Sequence, residues 1–311
     1  MAGGTWTQMD KVRPGVYINI RSEEQLVVSL GERGVATMAL PLSWGPSKQV
    51  IKVEAGQNVL DVLGYDMMAP QLLLVREALK RARTLLLYRL NDGNKATANV
   101  GSDENIMAVE AKYPGVRGND IAIVVQANVD NPSLFDVQTL VDGREVDLQT
   151  VSAIEELEEN AWVTFSGTGA PEPTAGVNLS GGTDGSVTNA DYTDYLAAIE
   201  LHDFNTMAAP VEDETLKGVF VSFVKRMREE EGKKIQVVLP DYPNADYEGV
   251  ISVKNGVVLE DGTTVNNVQA TAWVAGATAG ANVNESLTYA AYDGAVDVDE
   301  RYTHTEIVQA L

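Results

Sequence analysis

The chain of 311 residues contains no cysteine, which removes a disulfide framework, a thiolate metal site and a cysteine nucleophile together. Histidine is almost as scarce. The two present, His202 and His304, stand far apart in the sequence and argue against a transition-metal centre. Basic residues are few against acidic ones: 23 Lys and Arg face 45 Asp and Glu, a formal charge of -22. Such a surface repels phosphate backbones and anionic lipid, so no nucleic acid and no membrane contact is expected of this chain. No apolar stretch approaches spanning length, and Met1-Ala2-Gly3-Gly4-Thr5-Trp6 lacks the basic and apolar regions of an export signal. Synthesis in the cytoplasm is expected, with release by lysis or by assembly into something larger.

What is present suffices for a sizeable core, since 44% of residues are hydrophobic, and two domains are expected rather than one. Charge is unevenly spread: residues 1–95 hold 12 basic and 9 acidic side chains, residues 96–185 hold 3 and 15, and residues 186–311 hold 8 and 21. That shift supports a boundary near residue 95.

Residues 1–20 carry Gly3, Gly4 and Pro14-Gly15 before a short extended run, with too little apolar surface to fold alone; they read as an arm that docks on a surface. Short strand-like runs follow at 35–40 and 49–53 around the turn Trp44-Gly45-Pro46-Ser47. Next come a helix over 72–83, rich in cations at its C-terminal end, and a nearly all-apolar strand over 84–90. Between 96 and 185 the texture turns to strands, with a hairpin at Asp142-Gly143 and one acidic helix over 152–159. The α/β pattern resumes with helices over 191–201 and 213–230 and strands at 206–210 and 235–239. The expected fold is α/β: an arm (1–20), a discontinuous core (21–95 and 186–311) and an inserted β-rich outer domain (96–185).

No chemistry-bearing constellation emerges. His202 beside Asp203 lacks a G-x-S-x-G elbow, and Ser180 and Ser186 sit in glycine-rich linker sequence; a histidine closing a helix is the better reading. His304 looks like the start of a capped helix. Gly115-Val116-Arg117-Gly118 and Ser180-Gly181-Gly182-Thr183 have no P-loop lysine and read as turns. Asp293, Asp297 and Asp299 lack the register of a calcium loop and read as a solvated acidic edge. Neither a cofactor nor a metal is expected. Lys80, Arg81, Arg83 and Arg89 cluster in the only net-positive segment and read equally well as the exposed end of a helix plus one strand-edge arginine, Arg89, or as a charged patch for a neighbouring copy.

Late in the chain Trp273-Val274-Ala275-Gly276-Ala277-Thr278-Ala279-Gly280 leads into Asn282-Val283-Asn284-Glu285-Ser286-Leu287-Thr288-Tyr289 and then Tyr292-Asp293-Gly294-Ala295-Val296-Asp297-Val298. The small residues let two backbones approach closely; this is packing sequence. With Arg13-Pro14-Gly15-Val16-Tyr17, Trp44-Gly45-Pro46, the stretch from Tyr88-Arg89-Leu90 to Lys95-Ala96-Thr97-Ala98, and Lys112-Tyr113-Pro114-Gly115-Val116-Arg117-Gly118-Asn119, it resembles the contractile tail sheath proteins of Gram-positive phages, prophages and R-type bacteriocins. The resemblance implies a core often labelled subtilisin-like, without peptidase activity. It also implies a helical polymer of identical subunits around an inner tail tube, meeting baseplate and tail terminator proteins in a virion or bacteriocin tail. Terminal arms would add strands to neighbouring sheets, and Arg13, Val16, Tyr17 and Ile18 are the expected linking residues. Sheath proteins of this type usually continue past the helix beginning near Thr305, so the chain alone is expected to assemble poorly. Two other classes stay open at this point: an α/β hydrolase-like enzyme and a carbohydrate- or receptor-binding tail module.

Overall fold

Strands that read as continuous apolar runs, such as Thr84–Arg89, need cover on both faces, and the fold provides it. The structure, a computed structural model, describes residues 33–102 and 105–310, without the side chains of 309 and 310. Six strands form one sheet in the order Val250–Val253, Gln236–Pro240, Thr206–Ala208, Val35–Leu40, Thr84–Arg89, Val50–Glu54. Neighbours pair in parallel except Val50–Glu54, which runs antiparallel at its edge. Strands from before residue 95 thus lie beside strands from after 186, and the α/β core is discontinuous in sequence.

Alternation divides the side chains of this sheet. Ala36, Met38, Leu40, Leu85 and Leu87 face one way, against the helices Leu73–Leu79 and Asn267–Gly280. Ala39, Leu86 and Tyr88 face the other, against Asn189–Ile199 and Glu214–Glu229. The last helix forms because Asp213 caps it by accepting the Leu216 N–H at 2.7 Å. Leu216, Phe220, Phe223, Val224 and Met227 then recur on its inner face.

The helix Asn267–Gly280 begins at a capping box made by Asn266 and Gln269 and is buried nearly all round. Its small residues have a geometric cause. A Cβ placed on Gly276 would lie 2.1 Å from the carbonyl oxygen of Ala78, and one on Gly280 2.3 Å from that of Arg81. Only glycine admits so close a crossing with the Leu73–Leu79 helix.

Between the two parts of the core, two antiparallel sheets enclose a separate apolar cluster that includes Val109, Ile123, Val137, Trp162 and Val163. One has three strands and the other four. They join the core through the paired segments Gly93–Asn94 and Thr183–Asp184. Trp44, fully buried, reaches from the core into that cluster and meets the ring of Trp162 at 4.9 Å and that of Tyr113 at 5.5 Å. Arg117 fastens the same seam: its Nε donates to the Gly64 carbonyl at 2.8 Å, its Nη atoms hold Asp120 and Asp142, and its guanidinium lies over Tyr65.

The expected hairpin forms between Phe135–Val141 and Arg144–Val151, with Asp142 at φ 50° and Gly143 at φ 74°, the pair of left-handed residues that a type I′ turn demands. Two expectations are corrected. Over 152–159 only the single turn Ile154–Glu156 is helical, because Ile154 alone is buried there and the Glu156 carboxylate folds back onto Ser152. The helix expected over 72–83 is regular only over Leu73–Leu79, after a tight turn at Pro70–Leu72. Beyond it the chain is drawn toward the sheet, where the Arg83 N–H donates to the Gly34 carbonyl.

Candidate assembly interface at the C-terminal strap

After Gly280 the chain crosses back over the Leu73–Leu79 helix as a strap. Its anchor is Tyr292-Asp293. The Tyr292 ring stacks on Trp273 with centroids 4.3 Å apart, and its hydroxyl donates to Glu77 Oε2 at 2.8 Å. Glu77 is wholly buried, and Lys80 Nζ donates to the same carboxylate at 2.8 Å. Lys80 also donates to the Asp293 carbonyl at 3.0 Å. The Asp293 carboxylate accepts from Arg81 Nη2 at 2.8 Å and from Trp273 Nε1 at 3.0 Å.

These contacts set the electrostatics. The Arg81 guanidinium, with help from Trp273, holds the Asp293 carboxyl below its ordinary value. Burial, reinforced by Glu77, pushes the Tyr292 hydroxyl well above the usual phenol range. Both shifts keep the donors and acceptors of the strap in the protonation states that bond at neutral pH.

Beyond the anchor, Ala295–Val298 pairs antiparallel with Val257–Leu259, whose other side carries Thr264–Val265. Among the described residues no strand covers the outer edge of Ala295–Val298. Val296 and Val298 on it are 64% and 40% exposed, which marks the strand as a place where another can add. A helix follows at His304–Ala310, started by a reciprocal cap between Thr303 and Glu306.

The sequence-level patch is redistributed. Lys80 and Arg81 are committed to the strap within the chain, and Arg83 is exposed at the end of the same turn. Arg89 is not at an edge: it is fully buried, its Nη1 donating to the Gly45 carbonyl at 2.7 Å, and burial lowers its pKa. It therefore leaves the patch. The reading of Asp293 as part of a solvated acidic edge is likewise corrected, since its carboxylate is held by Arg81 and Trp273. Arg13, Val16, Tyr17 and Ile18 lie outside the described residues. His202 and His304 are exposed at helix ends, and no group of His, Asp and Glu among the described residues converges as a metal site. No described helix is long and apolar enough to cross a membrane.

An α/β core, a β-sandwich inserted into it and a late strand paired along one edge make up the described fold, and comparison with known families identifies it. Residues 33–90 match the tail sheath protein Gp18 domain III N-terminal region, 91–184 the phage tail sheath protein beta-sandwich domain, and 185–311 the phage tail sheath protein central domain. The chain belongs to the phage tail sheath family, a family of structural proteins. It is 44% identical to the phage-like element PBSX protein XkdK of Bacillus subtilis and 46% identical to YqbK of the same organism, spanning all of this chain and 70% of each relative. Among solved structures, the sheath tail protein of Desulfitobacterium hafniense is 60% identical with a TM-score of 0.86, over 95% of this chain and 69% of that one. The sheath tail protein of Listeria innocua is 45% identical with a TM-score of 0.79, over 90% of this chain and 64% of that one.

Proposed function

We propose that the protein polymerises helically around an inner tube and contracts by rigid-body rearrangement of its subunits, driving the tube through a cell envelope. The observation that carries this reading is the uncovered Ala295–Val298 edge, held by the strap to a rigid core. On this reading the arm at 1–20, through Arg13, Val16, Tyr17 and Ile18, adds a strand to that edge in a neighbouring copy. Such head-to-tail contacts propagate into open helices. The energy of contraction is then stored between chains, in an extended lattice kept from the better-packed one by a barrier, and no nucleotide is consumed. The core over 21–95 and 186–311 moves as a unit and the domain over 96–185 lies outward. Baseplate and terminator proteins cap the polymer in a virion or bacteriocin tail, assembled in the bacterial cytoplasm and released by lysis.

Co-expression of a full-length version with the cognate tube protein, followed by negative-stain microscopy, tests this. Tubes wearing a regular sleeve are expected. Bare tubes beside a monodisperse monomer would overturn the proposal.

A further inference from the structure

Among the described residues, seven buried side-chain atoms find no hydrogen-bond partner, and five of them belong to one region, the seam between the core and the inserted domain. They are Arg89 Nε and Nη2, Trp44 Nε1, Ser47 Oγ and Trp162 Nε1. The turn from Trp44 to Lys48 brings them together. Its Gly45 carbonyl accepts from Arg89 Nη1 at 2.7 Å, its Lys48 N–H donates to the Arg89 carbonyl at 3.0 Å, and the Trp44 ring lies 4.9 Å from that of Trp162. Apart from the serine hydroxyl, all of these atoms can only donate. What the region lacks is therefore an acceptor.

Charge selects the kind of acceptor. Arg89 is a fully buried cation, and no carboxylate among the described residues bonds it. Asp184 and Asp92 act on it only at a distance, and Asp184 is committed to Ser43 Oγ at 2.8 Å and to the Val116 N–H at 3.1 Å. A charge taken out of water needs a counter-charge beside it, which a water molecule does not bring.

We infer that Arg89 and the turn from Trp44 to Lys48 hold a small inorganic anion of about the size of chloride, with Arg89 Nε and Nη2 as its main donors and Trp44 Nε1 and Ser47 Oγ beside them. Packing keeps the class small. A Cβ on Gly45 would lie 2.8 Å from the Val62 carbonyl oxygen and one on Gly64 2.6 Å from Trp44 Cβ, so the turn is closed on that side against anything much larger than a single ion. The site goes beyond the sheath reading and does not depend on it, because it exists in the monomer. Its consequence falls on the seam: the ion fastens the turn whose Trp44 ring carries the core into the inserted domain.

Stability of the full chain in chloride, set against gluconate at equal ionic strength, tests this, since gluconate is too large for an enclosed site. An ion bound by the folded state alone raises the folded-to-unfolded ratio, by about tenfold for each tenfold of free ion once the site is mostly filled. Chloride is expected to give that rise over gluconate in the parent and to lose it in Arg89→Met, which keeps an unbranched side chain and removes the donors. Equal dependence on the two salts in the parent, or a chloride effect that survives in Arg89→Met, would overturn the inference. Diffraction from the parent crystallised in bromide needs no variant: an anomalous peak within hydrogen-bond reach of Arg89 Nε or Nη2 is expected. The absence of that peak, whether the position is empty or holds density without an anomalous signal and so a water, would also overturn it.

Discussion

Two segments lie against the same short helix, Leu73–Leu79, and they hold to it by opposite means. The small-residue helix meets it through bare backbone, with Gly276 and Gly280 set against the carbonyls of Ala78 and Arg81. The strap meets it through polar side chains, with Asp293 on Arg81 and Tyr292 on Glu77. A backbone crossing has no side chain to bend away, so it has one arrangement. The strap holds instead by separable side-chain bonds, one to the wholly buried Glu77 and one between the half-exposed Arg81 and Asp293.

Substitution at the crossing is the strongest way to break this contrast. Gly276→Val puts atoms where the Ala78 carbonyl oxygen already lies 2.1 Å from an added Cβ, and the neighbour is backbone. The helix has to move. A loss of about 3 kcal/mol or more is expected, at the upper end of overpacking effects, read by denaturant unfolding. A variant within about 1 kcal/mol of the parent would show that the crossing is soft.

Substitution in the strap should do less and do it locally. Asp293→Asn keeps the shape and removes the charge that Arg81 and the Trp273 N–H share. Both partners of the ion pair are a little over a third exposed, so about 0.5–1.5 kcal/mol is expected. Faster amide exchange confined to 292–298, with the unfolding midpoint of the core little changed, is the expected signature. Global destabilisation instead would make the strap part of the core.

Acid should act on the strap in the same direction. The folded-state pKa of Asp293 lies below its ordinary value of 3.8. Its contribution is therefore complete above that value and is lost as pH falls through the lower folded one. The Trp273–Tyr292 stack gives the readout, through the change in Trp273 emission when the strap lifts. In the core, the bonds from Lys48 and Thr188 hold Asp191 down to about 2, so that its own contribution fades only between about pH 4 and 2. Emission from Trp273 that stays constant across this range would show that Asp293 does not hold the strap.

Much of the core was legible because its signals are local. Apolar runs such as 84–90 and helices such as 213–230 carry their own pattern, and the run from Ala275 to Gly280 announces a close approach without saying to what. The strap was not legible, because its bonds join residues 212 and 215 positions apart and depend on how the helices cross. Arg89 misled for a related reason: a charge at the end of an apolar strand reads as an edge residue, yet its guanidinium passes beneath Gly45. The acidic run at 152–159 has good helix formers but offers one buried side chain, Ile154, and a helix with no apolar stripe has nothing to hold it.

The smallest expected effect has the opposite sign and sharpens the first prediction. Gly218 lies inside the 16-residue helix Glu214–Glu229, and a Cβ built there meets no atom within 4 Å. Nothing in the fold requires glycine at this position, so it carries only the entropy that glycine loses on entering a helix. Gly218→Ala should stabilise by about 0.5–1 kcal/mol. That corresponds to a rise of about 1–4 °C in Tm for a domain of this size, measurable by calorimetry. If the variant is instead less stable than the parent, the space above Gly218 is occupied in solution, and the difference between a glycine that makes room for backbone and one that makes room for nothing would fail at its simplest point.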